Sequence, residues 1–470
     1  MFVLYALLVT FAFTAIGLIY TKMFQLENYK IKNYFFKIIN LQFAIGKKSS
    51  LVFTNRAKRL IFCEFLTNFL IFLLFFAFFL NLWMFLIIFL CLIFSPFLVI
   101  LAFFLAQPIE ELIKRNYINK AKKKLQKMPC KKIAITGSFG KTSTKNILYQ
   151  ILKEEFDVCS TPKSYNTPMG ICKTILQELK ETDDFFIVEF GARQKGDIEF
   201  LAKFVGVDFG IITPIGNCHL ETFGSLEKIE NEKYKLCLEA KNVVVFNGRS
   251  KSTQKLFQRF HHKKYLVCQS GSFAYAENIK YNENGSTFDL VLAGEKHKIQ
   301  TTLLGKANID NIVVGVAMAH LLGESFFNIK KALAKLKGVP HRLELIKGEF
   351  VNVIDDSYNS NFEGFNQALD VLKFFKGKKI VISPGIVELG KEQFQTNFEA
   401  GKNVSRVADV FVIMNETNKD ALKKGAISGG MSENQLYFAN TRQKQKEILK
   451  EIVQQGDVVL FENDLPDNFA

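Results

Sequence analysis

Lys132-Ile133-Ala134-Ile135-Thr136-Gly137-Ser138-Phe139-Gly140-Lys141-Thr142-Ser143 is the stretch that decides the fold. Ile133 to Ile135 read as a buried strand, Gly137 to Gly140 as a turn, and a helix opens at Lys141. A strand that passes through a glycine-rich turn into a helix aims backbone N–H groups and a helix N-terminus at one point, which suits an anion. Lys141 adds a point charge there, and the Thr142 hydroxyl falls where a phosphate-bound Mg²⁺ takes an oxygen ligand. The segment departs from the general GxxxxGK[ST] pattern, because Ile135 stands where the first glycine would be. The shorter TGxxGKT form keeps the phosphate cradle. The chain is therefore expected to bind a nucleoside triphosphate through Gly137, Ser138, Gly140, Lys141, Thr142 and Ser143.

Upstream of this loop the composition changes. Residues 2–20 carry no charge, nor do the 42 residues from Phe65 to Ala106. A helix crosses a bilayer with roughly 20 apolar residues, so these stretches predict three spans, at about 2–20, 65–80 and 84–106. A turn near Asn81 would divide the longer run, and Pro96 falls inside the last helix. No basic residue precedes the first apolar run and no Ala-x-Ala follows it, which favours a retained anchor over a cleaved signal. Loop 21–64 and segment 107–132 each hold nine Lys/Arg against two Glu. Positive loops stay cytoplasmic, which places the N-terminus outside and everything after Ala106 inside. The expected location is the inner (cytoplasmic) membrane, multi-pass, with lipid as a partner.

The same bookkeeping removes a nucleic-acid reading. The chain carries +16, but all except +2 of it lies in the two segments that flank the spans. The positive charge is topological, with an attraction for anionic head groups. Eight cysteines are scattered singly with no CxxC pair, which excludes a zinc ribbon and a disulfide framework.

Beyond Lys131 short apolar runs alternate with helical patterns, the mark of an α/β parallel sheet. Strands are expected at 132–136, 185–190, 209–213, 242–246, 350–354, 379–383, 409–413 and 457–461. Helices are expected at 141–154, 168–179, 196–204, 225–239, 308–321, 328–336, 361–375 and 394–406. Segment 272–303 reads instead as antiparallel strands turning at Asn284-Gly285. Gly338-Val-Pro340 suggests a boundary, with a fresh βαβ pattern after it. Glu189 ends one strand and His219 follows another, so both fall at the sheet edge where open α/β sheets hold ligands, and both can serve a metal bound to phosphate.

Five segments then occur in a telling order: TGSFGKTS, SYNTPMGI (164–171), VEFGARQKGDIEFLA (188–202), ITPIGNCHLETFGSLEKIENEKYKL (212–236) and IDDSYNSN (354–361). Together they resemble the Mur ligases, over roughly 130–470, and look most like the branch that adds D-alanyl-D-alanine to UDP-N-acetylmuramoyl-tripeptide. The resemblance implies an α/β architecture, with a central P-loop ATPase domain (130–338) and a Rossmann-like C-terminal domain (339–470), which follow the membrane-anchoring helices (1–129) read from the apolar runs. It implies ATP with two Mg²⁺, and those two molecules as substrates. Lys141 would neutralise the β- and γ-phosphates. Thr142, Glu189, His219 and Lys233 would serve the metals, with Lys233 aligned to the lysine that this family carbamylates. Asn308 and Asn311 resemble adenine contacts, although Ala307 replaces the family's usual histidine beside them. Arg342 resembles the arginine that reaches the nucleotide, and Asp356 the ribose contact. Asn166, Thr167, Tyr358 and Asn359 resemble residues of the substrate cleft. The mechanism implied is acyl activation: a peptide carboxylate takes the γ-phosphate, and an amine then displaces phosphate.

The resemblance stops at the N-terminus, where spans and basic loops replace the small domain that usually grips the UDP-sugar. The ending, Val459-Leu-Phe-Glu-Asn-Asp-Leu-Pro-Asp467-Asn468, also lacks the family's glycine and serine. Two other readings stay open: an amide ligase of the same superfamily with a folate-like or lipid-linked substrate, and an ATP-driven transporter or sensor. The latter has no Leu-Ser-Gly-Gly-Gln-like signature and no acidic or basic residue within the expected spans.

Overall fold

The computed structural model describes residues 2–27, 29–39, 51–78, 83–216, 220–282, 284–358, 361–387 and 389–464. The chain forms two units, one built from residues up to Tyr117 and one running from Ile118 to Leu465.

The first unit contains helices α1 (Phe2–Leu26), α2 (Ile31–Ile39), α3 (Asn55–Phe78) and the greater part of α4 (Trp83–Lys127). These helices outrun the apolar stretches, so much of what reads as basic loop 21–64 is helical. A helix satisfies its own backbone, so lysine and arginine at its flanks extend it at little cost. α2 was not expected. Its Tyr34 and Ile38, four apart on one face, are buried. α4 continues through both Pro96 and Pro108, and the divider near Asn81 lies outside the described residues. Glu64, expected in the loop, sits within α3, where its Oε2 accepts a hydrogen bond from the Thr21 hydroxyl at 3.2 Å. Its carboxylate occupies the space over Gly17, where a Cβ would come within 1.6 Å of Oε1. Among the described residues two helical stretches, Val3–Leu26 and Ile93–Lys127, are long and apolar enough to cross a bilayer by length and composition.

The second unit holds two sheets. The first contains β1 (Lys131–Thr136), β2 (Val158–Ser160), β3 (Phe185–Glu189), β4 (Phe209–Ile212), β5 (Val244–Asn247) and β6 (Lys264–Val267). An antiparallel ribbon follows: β7 (Ala274–Asn282), β8 (Gly285–Leu292) and β9 (Glu295–Thr301). The order is β2-β3-β1-β4-β5-β6-β7-β8-β9. Alternation along β1 splits the core in two, because successive side chains leave opposite faces. Ile133 and Ile135 pack under α5 (Lys141–Leu152), α11 (Lys306–Leu321) and α12 (Phe326–Lys335), whereas Ala134 faces the other layer. That layer is built by the end of α4, α6 (Pro168–Gln177), α7 (Asp197–Val205), α9 (Leu226–Glu239) and α10 (Lys251–Arg259), with the short α8 (Leu220–Phe223) preceding α9.

The second sheet runs β10-β11-β15-β12-β13-β14. Its strands are β10 (Glu344–Ile346), β11 (Asn352–Asp356), β12 (Lys379–Ser383), β13 (Val410–Met414), β14 (Leu436–Ala439) and β15 (Val458–Glu462). All pairs are parallel except β10 with β11. α13 (Phe362–Leu372) and α14 (Gln393–Ser405) pack on one face and α16 (Arg442–Ile452) on the other, with α15 (Lys419–Ser428) against α14.

Candidate active site

The parallel register decides what meets at the C-terminal edge of the first sheet. Ile135 of β1 stands beside Glu189 of β3, so the end of β3 lies next to the start of the glycine turn. Gly140 caps α5 with φ 76°, and no side chain caps that terminus. Only glycine fits there: a Cβ would lie 2.6 Å from Asn311 Oδ1, in a left-handed backbone that L side chains resist. Gly137 is equally constrained, since a Cβ would lie 2.0 Å from the Thr213 hydroxyl. The first N–H groups of α5 thus face outward with the positive end of the helix dipole behind them. The Ser138 and Phe139 amides are committed elsewhere, both donating to the Pro214 carbonyl at 2.9 and 3.2 Å. The Ser138 hydroxyl donates to the Gly216 carbonyl at 3.1 Å, which knits the turn to the loop after β4.

Lys141 curls over this turn, its ammonium donating to the carbonyls of Gly137 (2.9 Å) and Ser138 (3.0 Å). Thr142 donates its hydroxyl to Glu189 Oε2 at 2.8 Å, and Asn166 donates its amide to Glu189 Oε1 at 3.0 Å. Glu189 is 1% exposed. Two hard oxygen donors beside an uncapped helix N-terminus make a fitting place for Mg²⁺ bound to a phosphate. Ser143 is buried in the same turn of α5. Thr167 caps α6, its hydroxyl oxygen accepting from the Gly170 amide at 3.3 Å. His219 and Asn359 lie outside the described residues. Lys233 is buried on α9. Its neighbour Glu232, which the sequence did not single out, accepts from the amides of Gly196 (2.9 Å) and Ile198 (2.7 Å), clamping α9 to the start of α7.

The asparagines of α11 turn inward. Asn308 donates to the Leu304 carbonyl at 2.9 Å, and Asn311 Oδ1 accepts from the Thr144 hydroxyl at 3.1 Å beside Gly140. Asp310, between them, pairs with Arg249 through Nε (2.7 Å) and Nη2 (3.0 Å). From the second sheet, the Arg342 guanidinium lies 4.4 Å from the centre of the Tyr358 ring. The Tyr358 hydroxyl is 2.6 Å from the Ser164 hydroxyl, so a segment before β10 and the turn before α6 are joined through the tyrosine. Asp356 accepts from the Leu343 amide at 3.0 Å, and burial pushes its carboxyl up to about 6. A separate trio, His341, Glu344 and Asp355, brings its ligand atoms within 4.8 Å of one another. Within it His341 Nδ1 and Asp355 Oδ2, 2.7 Å apart, share a hydrogen bond.

Lys145, also missed, is 3% exposed and lies 3.8 Å from Glu189 Oε2. Burial lowers its ammonium below the usual lysine range, and Glu189 pulls the other way. Its only signal in the sequence is the four-residue step from Lys141, which any helix surface shows.

Residues 135–319 match the Mur ligase middle domain and residues 341–462 the Mur ligase glutamate ligase domain. Over those residues the chain belongs to the Mur ligase family. It is 26% identical over 363 residues to the UDP-N-acetylmuramoyl-tripeptide–D-alanyl-D-alanine ligase of Bacillus subtilis, covering 73% of this chain and 74% of that protein. The enzyme of the same name from Haemophilus influenzae is 28% identical over 311 residues, 65% of this chain and 67% of its own. The MurF ligase of Thermotoga maritima, solved in complex with ADP, superposes with a TM-score of 0.67 at 26% identity, covering 75% of this chain and 80% of that one. Mur ligase architecture therefore spans both sheets, and the glycine turn, Glu189 and Asn166 all lie in the matched middle domain.

Proposed function

We propose that this Mur ligase joins D-alanyl-D-alanine to UDP-N-acetylmuramoyl-tripeptide at the expense of ATP. The observation that carries the reading is the Thr142–Glu189–Asn166 cluster at the mouth of α5, in a chain whose relatives bear that enzyme's name. Lys141 and the first N–H groups of α5 hold the β- and γ-phosphates and offset their charge. Thr142 and Glu189, with His219 and a carbamylated Lys233, are the proposed ligands for two Mg²⁺. The metal supplies charge neutralisation at the γ-phosphate. Asn308, Asn311, Arg342 and Asp356 are assigned to the adenosine side, and Asn166, Thr167, Tyr358 and Asn359 to the peptide side.

The peptide carboxylate attacks the γ-phosphorus in line, and the β–γ bridging bond breaks to give an acyl phosphate and ADP. The amine of D-alanyl-D-alanine, once deprotonated, attacks the acyl carbon, and inorganic phosphate leaves with the bonding pair. The contact between Ser164 and Tyr358 supports a closed cleft that keeps water from the acyl phosphate.

The domain assignment of 1–129, 130–338 and 339–470 is part of the proposal, as is a cytoplasmic-membrane location with three spans and the catalytic domains inside. Support comes from the two long apolar helices and from side chains such as Leu8, Phe11, Leu70, Leu74, Phe104 and Leu105, all more than half exposed. Full-length protein in detergent should release ADP only when ATP, Mg²⁺, UDP-N-acetylmuramoyl-tripeptide and D-alanyl-D-alanine are all present. Turnover with a glutamate or folate acceptor would sink the assignment. Turnover with a lipid-linked muropeptide alone would move it to another substrate of the same superfamily, as the replaced N-terminal domain allows.

A further inference from the structure

Lys141 and Lys145 stand one helical turn apart on α5, on the same side of the helix. They have different partners. Lys141 reaches the phosphate turn, whereas Lys145 donates to the carbonyls of Thr161 and Lys163 and to the Thr161 hydroxyl at 3.4 Å. A buried ammonium is costly unless its hydrogens find acceptors and a negative group stands near, and here both conditions hold. The Thr161 hydroxyl oxygen also accepts from the Glu189 amide at 3.3 Å, so Lys145, Thr161 and Glu189 close a ring.

The segment held by this lysine is itself strained. Lys163 has φ 47°, a left-handed backbone that a non-glycine residue keeps only where its surroundings impose it. The carbonyl that Lys145 grips belongs to that residue. Directly after it come Ser164, hydrogen-bonded to Tyr358, and Asn166, hydrogen-bonded to Glu189.

We propose that Lys145 is a positioning residue, a single buried cation that sets the Glu189 carboxylate and the 161–166 turn in place together. It thereby ties the metal-binding edge to the peptide side of the cleft. The inference rests on the Mg²⁺ role proposed above for Glu189. Lys145 acts through Glu189 and Asn166 and touches no substrate itself.

The test uses full-length protein in detergent, with Lys145→Met, Lys145→Arg, Thr161→Val and Glu189→Gln. Mn²⁺ binding in the presence of ADP is followed by electron paramagnetic resonance, metal-free ADP binding by calorimetry, and KM and kcat for the UDP-muropeptide by ADP release. Partners that orient a metal ligand typically contribute 10- to 100-fold in affinity or activity, so the half-saturating Mn²⁺ concentration should rise roughly that far in Lys145→Met. KM for the muropeptide should rise with it, while metal-free ADP binding stays at the wild-type level. Lys145→Arg, which keeps the charge but not the compact ammonium, should fall between. Thr161→Val should give a smaller shift in the same direction, and it carries the test if Lys145→Met does not fold. Unchanged Mn²⁺ binding and muropeptide KM in a folded Lys145 variant would overturn the proposal, as would equal loss of metal-free ADP binding. Glu189→Gln separates the two ideas. If it leaves Mn²⁺ binding intact, the Glu189 reading falls and the proposal with it. If it abolishes binding that Lys145→Met retains, only the role of Lys145 falls.

Discussion

Arg249→Met should loosen the packing of α11 in the middle domain by a predictable amount. Arg249 grips Asp310 with two hydrogen bonds, at 2.7 and 3.0 Å, and Asp310 lies on α11 between Asn308 and Asn311 with its side chain 10% exposed. Burial holds the Asp310 carboxyl above the ordinary aspartate range, and the guanidinium opposes that shift. Removing the arginine strands a buried carboxylate, which costs about 3–5 kcal/mol in pairs of this kind. Arg249 is itself 34% exposed, so the lower end applies. For a domain of roughly 200 residues, a loss of about 3 kcal/mol lowers Tm by about 6–12 °C. Circular dichroism melts of wild type, Arg249→Met, Asp310→Asn and the double variant read this directly. The double variant should recover most of the loss, because it carries no stranded charge. The pH dependence has a definite sign. A carboxyl whose folded pKa lies above its unfolded value contributes most below the unfolded value and loses that stability as pH rises. The gap between wild type and Arg249→Met should therefore be narrower at pH 5 than at pH 8. Additive losses in the double variant, or a gap indifferent to pH, would refute the reasoning.

Gly140→Ala forces a left-handed φ of 76° on alanine and drives a Cβ to 2.6 Å from Asn311 Oδ1. About 1–2 kcal/mol of backbone strain follows, with weaker binding of a fluorescent ATP analogue; wild-type affinity and Tm together would contradict it. Burial, reinforced by Glu155, pushes the Glu324 carboxyl up from 4.5 to about 7. Stability should accordingly fall as pH rises from 4.5 to 7, and Glu324→Gln should flatten that slope of Tm against pH; an unchanged slope would exclude Glu324 as its source. Lys233→Ala should abolish ligation, with partial rescue by a short carboxylic acid that replaces the carbamate oxygens. Unaltered turnover would rule the carbamate out.

Much of the fold was legible because parallel strands buried on both faces read as plain apolar runs. Lys379–Ser383 matches its expected range, and Phe185–Glu189 and Phe209–Ile212 lie within one residue of theirs. The elements missed are those that lack that signature. β2 (Val158–Ser160) is three residues long, α10 and α16 are strongly polar helices, and β6 has only Val267 fully buried. In the first unit, apolar length marked the helices but not their ends, since charged flanks such as residues 55–59 continue a helix with few apolar side chains.

The sequence by itself determined the glycine turn before α5. Gly137 and Gly140 are local requirements of the backbone, and Lys141 and Thr142 are fixed to it by one turn of helix. Only the tertiary structure decided which groups complete that turn. Glu189 reaches Thr142 because β3 pairs with β1 in one register, Ile135 against Glu189, and a shift of one residue would send the carboxylate to the opposite face of the sheet. The two lysines of α5 show the same division most plainly. Identical in chemistry and spaced four apart, they differ because one faces the glycine turn and the other a strand-end loop brought up from Thr161, and no local pattern carries that distance.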